Sequence, residues 1–213
     1  MASSDYLGLG PGLVRHVEEE TALRECLDLL SRTAIPLCIA DDELEDQPIV
    51  CVNSEFERLA GRSSDEILGK NCRFLQGLET HSKDVIDIRN AIRRKNSGCA
   101  TVLNYRSDGS AFINRINFAR LSTSTGRTFS VGFQTGIDVQ LLRDLGLSLA
   151  SVSGDERRSW ISPNARQVVE AFEMRAGEAR RMARLIEHRV SLSNARDLVE
   201  RARLARGRGR QTV

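Results

Sequence analysis

The most reactive side chains in this 213-residue chain belong to five cysteines, Cys26, Cys38, Cys51, Cys72 and Cys99. Their number is odd and no two stand in CxxC spacing, which argues against a disulfide framework and a zinc site and leaves free thiols. The three histidines, His16, His81 and His188, are scattered, without a serine or aspartate set or a metal-ligand spacing. Gly8-Leu-Gly-Pro-Gly12 lacks the strand and the Lys-Ser/Thr pair of a phosphate-binding loop. No enzyme chemistry and no metal are therefore expected. The informative run is 69–77, Gly-Lys-Asn-Cys-Arg-Phe-Leu-Gln-Gly, where the Cys72 thiol stands between the Asn71 amide and the Arg73 guanidinium, with Leu75 and Gln76 close behind. A lone cysteine is by default a small buried hydrophobe, so its neighbours must decide.

The elements that would position these groups follow from periodicity. Leu13, Val17, Leu23, Leu27 and Leu30 recur at near-helical spacing, predicting an amphipathic helix within an N-terminal cap over 1–33. Segments 37–40 and 49–52 are β-compatible and can pair as a hairpin. Asn53 is placed to cap a short helix, Ser63 and Glu66 have capping-box spacing, and Gly69 can end that turn. Ser82 opens a helix whose Val85, Ile88 and Ile92 share one face. Strand-like segments at 99–105, 112–118 and 128–135 complete the order. Two strands, short helices and three strands predict an α+β fold over 34–138, a five-stranded antiparallel sheet with helices on one face. Leu141, Leu142, Leu145 and Leu149 suggest a connecting helix, followed by a linker, over 139–153. Ser162-Pro163 has the form of a helix start, and apolar residues then recur at three and four through Val190. Ser191-Leu-Ser-Asn194 interrupts that pattern, predicting a helical hairpin or bundle over 154–213 that serves output or dimerisation.

Run 69–77 closely resembles the cysteine motif of LOV (light-oxygen-voltage) photoreceptors, flavin-binding domains of the PAS superfamily, with Lys70 in place of an arginine; the resemblance covers roughly 36–138. It implies a bound flavin, FMN foremost, with FAD or riboflavin as alternatives. It also implies cofactor contacts from Asn71, Cys72, Arg73, Leu75, Gln76, Val85, Ile88, Arg89, Asn104, Asn114, Ile116, Phe118 and Gln134. Arg73 and Arg89 fall at the family's phosphate-binding positions, where two guanidiniums supply charge-assisted, bidentate hydrogen bonds. Asn104, Asn114 and Gln134 fall at its three flavin-ring positions, and amides offer the donors and acceptors that a buried pyrimidine edge needs. Leu75, Val85, Ile88, Ile116 and Phe118 would wall the ring. The two asparagines face one side of a hairpin only if its turn, around Asp108-Gly109, is odd in length or bulged. The resemblance further implies that Cys72 is the photoreactive thiol, bonding reversibly to flavin carbon 4a under blue light while nitrogen 5 gains a proton. Gln134 would answer by rotating its amide, acting as the signal relay.

Location and output are read from the rest. No apolar run approaches the roughly 20 residues that span a bilayer, and the N-terminus lacks a signal-peptide pattern, so a cytoplasmic protein without membrane contact is expected. Beyond Trp160 basic residues outnumber acidic ones about two to one, read as a solvated helix face with a frayed basic end. The favoured output is a homodimer with light-dependent association, or docking of a protein partner. One alternative is DNA binding through a helix-turn-helix in 179–203, with its turn at 190–195. Another is a flavin redox sensor. His188-Arg-Val is faintly similar to the phosphoacceptor helix of one histidine-kinase group, but His188 is read as a helix-surface residue.

Overall fold

Strands form where β-branched and aromatic residues alternate, and the hydrogen-bonded register shows which face each residue takes. The computed structural model describes residues 7–9, 27, 32–93, 98–123, 126–148 and 162–208, with side chains as far as His188. Its strands are β1 (Leu7–Leu9), β2 (Leu37–Asp41), β3 (Ile49–Asn53), β4 (Gly98–Tyr105), β5 (Ala111–Ser122) and β6 (Thr128–Asp138). The helices are α1 (Ser54–Ala60), α2 (Ser64–Ile67), α3 (Ser82–Arg93), α4 (Val139–Asp144) and α5 (Pro163–Arg208), with a 3-10 turn at Cys72–Leu75. The strands make one antiparallel sheet in the order β1-β3-β2-β6-β5-β4. Five of them are the expected PAS set; β1 adds a short edge strand through Leu7↔Asn53 and Leu9↔Cys51.

Alternation along β5 divides the molecule. Ile116 and Phe118 pack with Ala91, Ala100 and Val102 on the face covered by the short helices. Ile113 points the other way and packs with Ala165, Val169 and Phe172 of α5. Farther along α5, Ala179, Ala183 and Ile186 lie on Leu37, Ile39, Val131 and Phe133. This apolar stripe, spaced by three and four, contains four alanines, whose small side chains let the helix lie close to the sheet. The fold class is as expected, but helices cover both sheet faces, since the C-terminal extension occupies the one opposite α1, α2 and α3.

That extension differs from its expected form. The 46 residues of α5 run as one helix of about 69 Å, with no turn at 191–194, so there is neither a hairpin nor a helix-turn-helix in 179–203. Ser and Asn weaken a helix interior by only about 0.5 kcal/mol each, and neither Gly nor Pro stands there to stop it. Of the N-terminal helix, only Leu27 is among the described residues, where it is helical and buried. The remainder of that helix and the linker around 151–154 lie outside them. Among the described residues, no helix is long and apolar enough to cross a membrane.

Asn53 secures the entry to the site. Its Oδ1 accepts from the Phe56 N–H at the start of α1 and from the Leu37 N–H, both at 3.0 Å, while its Nδ2 donates to the Ile35 carbonyl at 2.9 Å. Asn53→Ala removes a helix cap and strands two buried backbone groups, so a loss of about 2–4 kcal/mol is expected in urea unfolding. A cost below about 1 kcal/mol would show that water replaces the amide.

Candidate functional site

Run 69–77 is held by contacts at both ends. Gly69, at φ +80°, ends the α2 turn; its N–H donates to the Ile49 carbonyl at 2.9 Å, and the Lys70 carbonyl accepts from the Ile49 N–H at 2.8 Å. Asn71 then caps the 3-10 turn, accepting from the Arg73 N–H at 3.0 Å and donating from Nδ2 to the Asp46 carbonyl at 2.6 Å. Gly77 closes the run against the Tyr105 ring, where any Cβ would meet Cε2 at 2.5 Å. This docking aims Cys72 at the sheet.

The register supplies the facing wall. Tyr105 pairs with Ala111, so the hairpin closes through residues 106–110, an odd number, with Gly109 at φ +82°. Val102 pairs with Asn114 and Asn104 with Phe112, which sets both asparagines on one face as expected. Asn114 is the hub of a buried amide set, its Nδ2 donating to Asn104 Oδ1 at 2.9 Å and to Gln134 Oε1 at 2.7 Å. Gln134 Nε2 donates in turn to Cys38 Sγ at 3.3 Å, and Cys38 Sγ stands 3.6 Å from Cys72 Sγ. The hydrogen-bonding contact with Cys38 holds the Cys72 thiol below its ordinary pKa. The same contact, together with burial, pushes Cys38 well up.

Between the turn, α3 and the sheet lies a cavity of about 750 Å³, counted out to its open mouth. Of the residues expected from the sequence, Asn71, Cys72, Arg73, Leu75, Gln76, Ile88, Asn104, Asn114, Ile116, Phe118 and Gln134 all line it. Val85, half-buried, and Arg89, exposed, are on α3 outside the lining. The two arginines therefore do not converge here: Arg73, at the mouth, forms an ion pair with Asp46. Sequence reasoning missed Cys38, Ala40, Val102, Ser130, Gly132 and Ile92 as lining residues. Their signal was parity, because Ser130 and Gly132 share Gln134's side of β6, and Ile92 follows Ile88 by one helical turn.

The cavity fits a flavin by its own chemistry. Asn114 Oδ1 is fully buried with no hydrogen-bond partner, an acceptor that a ring N–H would satisfy. Apolar side chains from Leu75, Ile88, Ile116 and Phe118 surround that polar floor, as a flat, largely apolar ring with one polar edge requires.

The light-state structure of the Aureochrome1 LOV photoreceptor is 41% identical, with a TM-score of 0.46, and the match covers 52% of this chain and 88% of that one. In sequence, the PAS domain family model matches residues 36–136. A blue-light photoreceptor of Listeria monocytogenes is 34% identical over 114 residues, which is 54% of this chain and 45% of that protein. A blue-light-activated histidine kinase of Brucella anthropi is 35% identical over 130 residues, 60% of this chain and 26% of that protein. The chain thus spans less than half the length of these relatives. Residues 36–136, which carry the cysteine motif and the amide set, match the PAS domain family, and the relatives that align with this chain are blue-light receptors.

Proposed function

We propose that this protein is a blue-light receptor that holds FMN in the cavity, uses Cys72 as its photoreactive thiol, and signals through α5. The observation that carries this reading is Cys72 on the cavity wall facing a buried amide set with an unsatisfied acceptor, Asn114 Oδ1. When bound, the flavin supplies blue-light absorption and the electrophilic ring carbon to which the Cys72 sulfur bonds reversibly. Asn104 and Asn114 pair with the polar ring edge, and the apolar wall excludes water. Arg73, exposed at the mouth, exchanges Asp46 for a phosphate group, which favours FMN over riboflavin. Cys72 surrenders its thiol proton toward the ring, and Gln134, which can donate or accept, re-pairs its amide with the protonated edge. The test is an absorption spectrum of the purified chain supplied with FMN, before and after blue light. Reversible bleaching of the flavin band supports the reading; a colourless or unbleached protein overturns it.

The output reading rests on what lies behind Gln134. Its neighbour Thr135 is paired with Arg115, whose guanidinium crosses to α5, donating to Glu173 Oε2 at 2.9 Å and lying 4.9 Å from the Phe172 ring centroid. A change in β6 reaches the helix through this polar contact and through the packing of α5 on Val131 and Phe133. Met174 and Leu185, exposed at 68% and 39%, lie on its outward side. Arg115→Met removes the pair at a cost of about 1 kcal/mol of docking, since Glu173 is partly solvated. The expected result is unchanged bleaching with a smaller light-dependent shift in oligomer size by light scattering. An undiminished shift would mean that the signal leaves by another route.

A further inference from the structure

We propose that Cys38 and Cys72 form a peroxide-responsive dithiol within the cavity, closing to a disulfide that withdraws the photoreactive thiol and makes light sensing conditional on reducing surroundings. Its effect on light sensing rests on the reading of Cys72 given above; the disulfide itself does not.

The geometry points to this pair. The sulfurs are 3.6 Å apart, so a bond of about 2.05 Å needs them to approach by roughly 1.5 Å. Cys38 is fixed in the middle of the sheet, opposite Val52 on β3 and Gly132 on β6. Cys72 opens a 3-10 turn and is only half-buried beside the cavity mouth, where the approach is possible and a small oxidant can enter. Cys51 does not compete: it pairs with Ile39 and packs in the cluster on the opposite sheet face. Cys99 stands opposite Asn117, out of phase with the cavity residues Val102 and Asn104 on its strand. A buried cysteine ordinarily serves as a small apolar side chain, and valine would do that equally well at position 38. A second thiol in contact with the first adds a reaction valine cannot perform.

The oxidant is hydrogen peroxide. The Cys72 thiolate attacks one peroxide oxygen, the O–O bond breaks, and the leaving hydroxide takes a proton to become water, leaving Cys72 as a sulfenic acid. The Cys38 sulfur then attacks the Cys72 sulfur; the S–S bond forms, the S–OH bond breaks, and a second water carries away the Cys38 proton. Two thiols have lost two hydrogens and one peroxide has become two waters. Cys72 takes the first role because it is the accessible thiol and the one whose ionised form its neighbour favours, whereas Cys38 is 5% exposed.

The test uses the full chain, loaded with FMN and treated in the dark with a small excess of hydrogen peroxide. Expected are a Cys38–Cys72 linked peptide by mass spectrometry, at least a ten-fold loss of light-driven bleaching, and recovery of both with dithiothreitol. In Cys38→Val, which keeps the wall apolar, no linked peptide forms and dimedone traps the sulfenic acid on Cys72. Free alkylation of both cysteines in the treated wild-type chain, or dimedone capture of Cys72 there, overturns the dithiol. Should the untreated chain fail to bleach, the photoreceptor reading falls, while the linked peptide still decides on the dithiol.

Discussion

Cys72→Ala is expected to take up FMN as the native chain does and to show no light-driven bleaching at all. The expectation separates binding from reaction because the groups that would hold the ring are elsewhere. Asn104, Asn114 and Gln134 keep their mutual hydrogen bonds, and Leu75, Ile88, Ile116 and Phe118 keep the wall. Removing one half-buried sulfur costs about 1 kcal/mol of packing or less, too little to unfold the domain. It also removes the nucleophile outright, and among the described residues the remaining cavity thiol, Cys38, is engaged by the Gln134 amide on the far side of the sulfur pair. The measurement is the absorbance change under blue light, alongside flavin content after denaturation. Persistent bleaching with the native recovery rate would mean that the flavin is reduced without a thiol bond, and the protein would then be a redox sensor.

Gly132→Val is expected to produce a folded, nearly colourless protein. Gly132 lies on the cavity floor between Cys38 and Ile116, where an added Cβ would stand 3.3 Å from Cys38 Sγ and 3.5 Å from Ile116 Cγ2. One methyl-sized atom at those distances is absorbed by small shifts. The two further methyls of valine have no space within the sheet and must project into the cavity, against the face where a ring would lie. Valine is also a favourable strand residue, so β6 itself does not suffer. At least a ten-fold weaker FMN affinity by fluorescence titration, with an unchanged far-ultraviolet circular dichroism spectrum, is the expected pair of results. Native affinity would place the ring elsewhere in the cleft.

Much of the site was legible because its determinants are local. The odd turn that a shared face for Asn104 and Asn114 demands is present as residues 106–110. Asn53 as a cap and Gly69 as a left-handed stop follow from short-range backbone chemistry. The contact of Cys38 with Cys72 was not legible, because it joins residues 34 apart and depends on how a 3-10 turn settles over β2. The position of Arg89 was not legible either, since a helix repeat says which residues share a face but not how far that face turns toward a neighbour.

By itself, then, the sequence determined the order of elements, and its resemblance to a known family singled out the amides and the thiol. These depend on the two-residue strand period and on a contiguous motif, which act over a few residues. Only the tertiary structure decided that residues 163–208 form one helix lying across the sheet face opposite the cavity, that Arg115 ties this helix to β5, and that two sulfurs meet inside the cavity. Periodicity shows that an apolar face must be covered, whereas the partner that covers it is settled by packing between distant segments, where shape and volume compete over the whole fold.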